Sequence, residues 1–242
     1  MRKNNTNNPS KGIRSTPENL DVLYEDNHII AVNKRPGDIV QGDKTKDTPL
    51  SEIVKSYIKK KYNKPGAVFL GIVHRLDRPT SGIVLFAKTS KALSRLNTAF
   101  SKKIPQKTYW AVVESAPKTA SGHLVHYLKK NPQQNKSYAY EKEIPGSKKA
   151  ELIYKTLRDL DHYSLLEIQL ITGRHHQIRA QLGALGAIIK GDVKYGGRRG
   201  NRDGSIHLHA RELSIEHPVG NAPIKMIAEP PDDPVWKQCL RF

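Results

Sequence analysis

The sequence predicts a single α+β domain in which a mixed, mostly antiparallel sheet is flanked by helices. Short strand-like apolar runs recur along the 242 residues, and only a few segments carry apolar residues at helical spacing. No linker or internal repeat divides residues 20–242, so one folded unit is expected there. Hydrophobic residues make up 37% of the chain, which is enough for a sizeable core at this length.

The first half of the domain is predicted to contain short strands and two helices. Turn formers separate the runs, and the helical segments are recognised by apolar residues three and four positions apart. Ser90 is the expected cap of the second helix, because its side chain can accept from the first turn. The predicted elements are strands at 21–25, 28–34, 68–73 and 83–87, and helices at 49–62 and 90–103.

The second half is richer in strands. Residues 129–147 contain Lys-Lys, Asn-Pro and Pro-Gly, which indicates a long exposed basic hairpin or loop. Residues 190–205 are rich in glycine and arginine and are predicted to form a loop. The predicted elements are strands at 108–114, 123–128, 152–157, 163–171, 206–216 and 224–229, and helices at 174–185 and 234–240.

The charge balance points to a polyanionic partner. Lysine and arginine number 41 against 23 acidic residues, which gives a formal net charge of +18. Such an excess is typical of nucleic-acid binding, and the absence of a long apolar run argues against membrane binding. The alternative is a merely basic surface. Residues 1–19 are polar and basic, so a disordered arm is expected there, with no secretory signal. The single cysteine, Cys239, excludes an internal disulfide, and a cytoplasmic location is expected.

The most informative segment is His74-Arg75-Leu76-Asp77-Arg78-Pro79-Thr80-Ser81-Gly82. It places one carboxylate, Asp77, between two arginines in a loop between predicted buried strands. Nearby positive charge favours an ionised carboxylate, which suits a nucleophile or an electrostatic stabiliser better than a general acid. The competing interpretation is a structural aspartate in an ion pair or a turn.

A second polar segment, Thr172 to Arg179, opens the predicted helix at 174–185. His175, Ile178 and Arg179 share one helical face with Leu182. Because an unpaired buried charge is very costly, Arg179 needs a buried partner, and Asp77 is the obvious candidate. The adjacent face, with Arg174, Gln177 and Gln181, is suited to phosphate or base edges. The alternative is a solvated surface arginine.

Two further segments have residues suited to contacting nucleic acid. Tyr109 and Trp110 are neighbours in a predicted strand and therefore face opposite sides of it. One is expected in the core, and the other is available to stack on a nucleobase or to donate its phenol. The glycine-rich segment from Lys190 to Arg199 permits close backbone approach to phosphate, or it is a solvated loop.

The sequence gives little support for a metal or a nucleotide cofactor. His175-His176 and His207-x-His209 are histidine pairs, but no carboxylate or cysteine cluster joins them at ligand spacing. No phosphate-binding or dinucleotide-binding glycine motif occurs. We therefore expect no metal site and no nucleotide cofactor.

The ordered motifs resemble those of the RluA-type RNA pseudouridine synthases over about residues 20–232. His74–Gly82 matches the central motif of that family, His-Arg-Leu-Asp-x-x-Thr-Ser-Gly. The other matches, in chain order, are Asn33-Lys34-Arg35-Pro36-Gly37 with one inserted residue, Lys107-Thr108-Tyr109, Thr172–Arg179, Gly191–Gly196, Leu208–Ala210 and His217-Pro218.

The resemblance implies a pseudouridine synthase fold with an active-site cleft across the sheet. It also implies isomerisation of uridine in structured ribosomal or transfer RNA, in which the N1–C1′ bond breaks and a C5–C1′ bond forms. Asp77 would be the catalytic aspartate, either attacking C1′ or assisting departure of uracil as a glycal. Tyr109 would pack on the base or take the C5 proton, and Arg179 would pair with Asp77. An isomerisation needs no cofactor.

The resemblance also implies how the RNA is held. The target uridine must leave the stacked helix, and Arg75 would help to fill the gap. RNA contacts are expected from His74, Arg75, Arg174, Gln177, Lys194 and Tyr195. The chain is expected to act as a monomer, with residues 20–242 as the catalytic domain. A non-catalytic RNA-binding protein on the same fold and a metal-dependent nuclease are the alternatives.

Two departures from the family pattern lie beside these motifs. Ala180-Gln181 replaces the usual Val-His, and His175 replaces a commoner threonine or serine. Both are expected near the site, so substrate selection is expected to differ while catalysis survives. Many relatives carry an N-terminal S4 domain, which nineteen polar residues cannot form. We therefore expect the catalytic domain and its arm to recognise RNA.

Overall fold

The computed structural model describes residues 12–241, which contain eleven strands and four α-helices. The strands are β1 (Val22–Glu25), β2 (Ile29–Lys34), β3 (Gly71–Ile72), β4 (Ser81–Ala87), β5 (Gln106–Val113), β6 (Ser121–Asn131), β7 (Lys136–Tyr140), β8 (Lys148–Asp159), β9 (Ser164–Leu170), β10 (Leu208–Glu216) and β11 (Pro223–Ile227). The helices are α1 (Leu50–Lys61), α2 (Ser90–Ser101), α3 (Gln177–Leu185) and α4 (Pro234–Cys239), and a 3₁₀ turn covers Val193–Tyr195.

All eleven strands belong to one sheet. Its order is β1-β2-β4-β10-β5-β9-β8-β6-β7, with β3 paired to β4 and β11 paired to β10. The pair β4–β10 is parallel, and the other pairs between these strands are antiparallel. The predicted α+β class with a mixed, mostly antiparallel sheet is confirmed.

Helices cover both faces of the sheet. Successive residues of a strand point to opposite faces, so alternate residues contact different helices. On one face, α1 and α3 pack against alternate strand residues such as Val32, Phe86 and Ala111. On the other face, α2 packs against Ala31 and Leu85, and α4 covers a separate patch. The α1–α3 side contains the polar motifs, so the site lies on that face. None of the described helices is long and apolar enough to cross a lipid bilayer.

Two element boundaries differ from the predictions. The predicted strand at 68–73 pairs only at Gly71–Ile72, although Leu70 is buried in the core. Thr89, not Ser90, caps α2, because the Thr89 hydroxyl accepts from the backbone N–H of Ala92 at 3.1 Å. The basic segment 129–147 is predicted to be a hairpin or a loop. In the structure it forms the β6–β7 hairpin and the connection to β8.

Part of the predicted disordered arm packs against the domain. Residues 1–11 lie outside the described residues. The buried Ser15 hydroxyl donates to Asp38 at 2.6 Å, and Thr16 N–H donates to the Asn19 side chain at 2.8 Å. The bonds between Ser15 and Asp38 attach this segment to the domain, so the packed chain begins before the expected boundary at Leu20.

Candidate active site

Residues 73–80, here called the Asp77 loop, join β3 to β4 and are held from beneath by Lys34. This side chain is fully buried at the end of β2. Its amino group donates to the backbone carbonyls of Arg35 (2.9 Å), Arg78 (3.2 Å) and Thr80 (2.6 Å). Burial lowers the pKa of Lys34 to about 7, and two nearby carboxylates oppose that shift. Three acceptors match the three N–H bonds of an ammonium group, so Lys34 fixes the path of the loop.

Arg179 on α3 contacts two carboxylates. Its Nη1 donates to Asp77 Oδ2 at 3.2 Å, which is the predicted contact. Its Nε and Nη2 form a fork with Asp192, at 2.7 and 2.8 Å. The side chains of Arg179 and Asp192 are 6% and 1% exposed, whereas Asp77 is 30% exposed. Asp192 therefore anchors the guanidinium, and one Asp77 oxygen is left open to the cleft. Sequence reasoning missed Asp192 as a partner of Arg179. The Gly191-Asp192 motif, 13 residues after Arg179, was the signal that could have found it.

The two arginines next to Asp77 in sequence turn away from it, which corrects the interpretation of the motif as a carboxylate held between arginines. Arg78 donates from Nη1 to Asp47 at 2.7 Å, and Arg75 extends toward Gln41 at 3.4 Å. The positive charge beside Asp77 comes instead from Arg179, which is 102 residues away in sequence.

Tyr109 is the aromatic residue of the β5 pair that faces the site. It is buried and lines the cleft with Asp77. Burial and the charge of Asp77 raise the pKa of its phenol well above the usual range, so Tyr109 stays protonated at neutral pH. Trp110 points to the other face, where it packs beside α4 under the Arg211 guanidinium, 4.4 Å from its ring.

His176 links Arg179 to the β6–β7 hairpin through a defined tautomer. A guanidinium only donates, so His176 Nε2 must accept from Arg179 Nη1 at 3.1 Å. Its Nδ1 therefore carries the proton and donates to Tyr195 Oη at 3.0 Å. Tyr195 Oη also accepts from Ser137 N–H at 2.9 Å and donates to Ser137 O at 3.1 Å. Burial and Arg179 lower the pKa of His176 to about 2, so the ring is neutral beside Asp77.

The start of α3 differs from the prediction. His176 adopts a left-handed conformation with φ of 53°, and the helix begins at Gln177 rather than at Arg174. His175 therefore lies outside the helix, where its ring stacks on His176 with a centroid separation of 3.8 Å. Its Nδ1 lies 2.9 Å from the Ser137 hydroxyl. The Thr172 hydroxyl donates to Gln177 Oε1 at 2.7 Å, which holds the first residue of α3 against the end of β9.

Two predicted RNA contacts hold the protein together instead. His74 Nε2 accepts from Leu85 N–H at 3.0 Å, the ring stacks on Phe100, and burial lowers its pKa to about 4. Gln177 is buried, and its amide group bonds to Thr172, to Arg174 N–H and to the Glu151 carbonyl. The Gln177 amide group and the Nε2 atom of His74 are thus used inside the protein, so each side chain positions a neighbouring loop.

The other predicted RNA contacts lie at the rim of the site. Arg75 and Arg174 line the cleft and are exposed, although Arg174 Nε is bonded to the Lys149 carbonyl at 3.0 Å. Lys194 is also exposed and donates to carbonyls at the tip of the β6–β7 hairpin. Tyr195 is half-buried in the His176 network. The structure thus brings Asp77, Tyr109 and Arg179 together and leaves the basic residues around them.

A cleft of about 510 Å³ opens above these residues. It lies between the Asp77 loop, the end of α2 and residues 170–179, and it is large enough for a nucleotide-sized ligand. Its floor offers one carboxylate and one neutral phenol. This arrangement suits attack on, or stabilisation of, an electrophilic carbon in an otherwise cationic cleft.

The histidine pairs do not converge into a metal site. His207 Nε2 lies 3.0 Å from Asp233, and His209 Nδ1 lies 2.8 Å from the Ser81 hydroxyl. His176 uses both ring nitrogens in the network with Arg179 and Tyr195. Within residues 12–241, no group of three or more His, Cys, Asp or Glu side chains is arranged to hold a metal ion.

Comparison with known protein families identifies one match. A family model described as RNA pseudouridylate synthase matches residues 28–184, which is well over half of the chain. The chain belongs to this family. The matched region includes Asp77, Tyr109 and Arg179, whereas Asp192 and Tyr195 follow it.

Individual pseudouridine synthases resemble most of the chain. It is 33% identical to an uncharacterized RNA pseudouridine synthase of Synechocystis sp., over 88% of this chain and 66% of that protein. It is 32% identical to the ribosomal large subunit pseudouridine synthase C of Vibrio vulnificus, over 91% of this chain and 69% of the relative. A tRNA pseudouridine synthase C of Pectobacterium carotovorum is 29% identical over 86% of this chain and 58% of the relative. The chain spans about two thirds of the length of the first two relatives.

Solved structures of pseudouridylate synthase domains have the same fold. Human RNA pseudouridylate synthase domain containing 4 superposes with a TM-score of 0.75 at 22% identity, covering 89% of this chain and 90% of that one. Human RNA pseudouridylate synthase domain containing 1 gives a TM-score of 0.73 at 22% identity, covering 94% and 90%. The predicted pseudouridine synthase fold is confirmed.

The two departures from the family motif differ in position. His175 lines the cleft. Ala180 and Gln181 are buried away from it, with Ala180 packed against Leu128. Gln181 donates to backbone carbonyls of β6 and β8 at 3.2 and 3.3 Å. The expectation that both departures lie near the site is wrong for Ala180 and Gln181, because that side of α3 packs on the sheet.

Proposed function

We propose that this chain isomerises uridine to pseudouridine in structured RNA, either ribosomal or transfer RNA. The observation that carries the proposal is the position of Asp77, a single open carboxylate that contacts Arg179 and lines the same cleft as the Tyr109 phenol. Membership of the pseudouridylate synthase family and the named rRNA and tRNA relatives support the reaction and the substrate class.

Asp77 acts on the ribose of the bound uridine. The N1–C1′ bond breaks with its electron pair going to uracil, which turns and forms a C5–C1′ bond. The C5 proton is lost and N1 gains one, so atoms balance without an oxidant or cofactor. Asp77 either attacks C1′ or assists a glycal route, and its open oxygen is compatible with both. Arg179 keeps the carboxylate aimed into the cleft.

Tyr109 packs on the uracil ring rather than acting as a base. A tyrosine accepts a proton only as phenolate, and the raised pKa of Tyr109 disfavours that form at neutral pH. A buried neutral ring on the cleft floor is instead suited to stacking on an extruded base.

The basic rim holds the RNA around the flipped uridine. Both C1′ and C5 are inaccessible in a stacked helix, so the target nucleotide must be extruded into the cleft. Arg75 lies exposed at the rim, where a guanidinium can occupy the space that the uridine leaves. The net charge of +18 supports sequence-independent attraction to phosphate. We propose that the chain acts as a cytoplasmic monomer.

The decisive experiment replaces Asp77 by asparagine. We expect Asp77→Asn to release no tritium from RNA labelled at uridine C5, because the carboxylate is lost, while RNA affinity stays unchanged. Asp47→Asn is the matched control, since Asp47 pairs with Arg78 outside the cleft and its loss leaves turnover intact. Total RNA from a deletion strain supplies the unmodified substrate. Tritium release by Asp77→Asn at the wild-type rate would refute the proposal.

A further inference from the structure

The back of the sheet carries a row of tyrosine and lysine side chains near the site. We call Tyr127, Lys129, Tyr138, Tyr140 and Lys149 the outer face. The register places Tyr127 opposite both Tyr140 and Lys149, and Lys129 opposite Tyr138. Directly opposed residues share a side of the sheet, so all five side chains point the same way.

This outer face is open among the described residues. Tyr138 and Tyr140 are each 38% exposed, and both lysines are exposed. The neighbouring residues Leu128 and Ala150 point to the other side, where they are buried against α3. On the outer side, α4 packs only at the far end of β8 and β9, against residues such as Leu165.

The chemistry of the outer face fits single-stranded RNA better than a protein. Tyrosine rings on an exposed sheet provide stacking platforms for bases, and interleaved lysines meet the backbone phosphates. Lys129 has no carboxylate within ion-pair distance in residues 12–241, and Lys149 shares Glu151 with His123. Lysine is depleted at protein–protein interfaces, so a protein partner is the less favoured occupant.

The outer face is also rigid and continuous with the cleft. Tyr195 Oη bonds to both the N–H and the carbonyl of Ser137, which fixes the edge strand β7. Arg174 lines the cleft and donates to the backbone carbonyl of Lys149, whose side chain belongs to the outer face. A strand that leaves the cleft past Arg174 therefore reaches the outer face across one end of the sheet.

We propose that the outer face binds a single-stranded segment of the RNA substrate that flanks the modified site. The proposal rests on RNA being the substrate and assigns the hairpin strands β6 and β7 a second, non-catalytic contact. Its effect is to select RNAs in which an unpaired stretch adjoins the target uridine.

The test compares an RNA stem-loop alone with the same stem-loop carrying about ten unpaired adenosines at its 5′ or 3′ end. The wild-type chain is expected to bind one extended RNA about tenfold more tightly, because each stacked base contributes substantially. Tyr138→Ala combined with Tyr140→Ala should abolish this gain and leave affinity for the bare stem-loop unchanged. Tyr138→Phe with Tyr140→Phe is the matched control, because phenylalanine preserves stacking and should retain the gain.

Thermal melting checks that every variant is folded. Both tyrosines are exposed, so their replacement should leave the fold intact. If neither extension tightens binding by the wild-type chain, the outer face does not bind RNA and is left to a protein partner. If the alanine variant keeps the full gain, the extension binds elsewhere. Binding is measured without turnover. A tyrosine-dependent gain in a chain that forms no pseudouridine would therefore support the outer face and refute the proposed function.

Discussion

Two aspartates contact Arg179, and each has a different role. Asp192 is almost fully buried and takes two of its N–H groups, whereas Asp77 is partly open and takes one. A buried arginine needs a strong partner, and a reactive carboxylate needs free lone pairs. One residue could not meet both demands. Asp192 therefore anchors the Arg179 guanidinium through Nε and Nη2, and Nη1 of the same guanidinium orients Asp77.

The two aspartates should therefore differ in their effect on stability. We expect Asp192→Ala to lower the free energy of unfolding by about 3 kcal/mol, because it leaves the buried Arg179 charge without its fork partner. Asp77→Ala should cost less than about 1 kcal/mol, since the carboxylate is partly solvated and Arg179 keeps Asp192. Urea unfolding at neutral pH measures both. Equal losses for the two variants would contradict this division of roles.

Some contacts between residues could be predicted from the sequence, and others could not. The helical-face argument predicted a buried partner for Arg179, and the structure contains the contact with Asp77. It did not find the larger contribution of Asp192, because burial alone does not say how many partners a guanidinium has. Nor did periodicity find the left-handed backbone at His176, which turns that ring toward Tyr195.

At the scale of elements, the Asp77 loop is positioned by the strand pair that follows it. β4 begins at Ser81 beside β10, and this parallel contact places Gly82 against Ala210. Gly82 has φ of 112°, and a Cβ there would lie 2.4 Å from Ala210 O and 2.5 Å from Ala210 N. Only glycine permits both this φ angle and this close approach of Ala210. Gly82 therefore fixes the point at which the Asp77 loop meets the sheet.

Replacing Gly82 should separate β4 from β10. We expect Gly82→Ala to cost more than about 3 kcal/mol and to displace the Asp77 loop, because both clashing atoms are backbone atoms. Gly186→Ala is the matched control, since Gly186 has φ of 82° with open space around the added Cβ and should cost about 1–2 kcal/mol. Denaturant unfolding and tritium release report the two effects. A Gly82→Ala chain as stable as Gly186→Ala would show that the strands can part without cost.

Elements with strong periodicity were predictable within a few residues, as α1 and α2 demonstrate. The apolar run at 68–73 was not, since β3 pairs for two residues while Leu70 is buried in the core. An apolar run reports burial, but only the tertiary context decides whether the backbone pairs. The same limit applies to the order of strands, because β10 lies between β4 and β5, far from both in sequence.

At the scale of the whole molecule, the excess of basic charge coexists with buried imidazoles that the fold keeps neutral. Burial lowers the pKa of His74 and His209 to about 4, and that of His176 to about 2. Each ring also serves as a hydrogen-bond acceptor, for Leu85 N–H, the Ser81 hydroxyl and Arg179 respectively. Protonation would remove these acceptors and add positive charge to a chain that already carries an excess.

These histidines should make the fold sensitive to mild acid. In the unfolded chain they take up protons near pH 6.5, but in the folded chain only near 4 or below. Between those values the unfolded state binds more protons, so their contribution is present above pH 6.5 and is lost as pH falls. Each histidine contributes on the order of 2 kcal/mol between pH 7 and 5.

His209→Gln isolates one of these contributions. Glutamine retains a donor and an acceptor but does not titrate, so this variant should lose less stability than wild type between pH 7 and 5, by about 2 kcal/mol. His162→Gln, in the exposed turn before β9, is the control and should keep the wild-type pH dependence. Urea unfolding at the two pH values provides the measurement. Parallel behaviour of His209→Gln and wild type would mean that His209 titrates alike in the folded and unfolded chains and contributes nothing to the acid sensitivity.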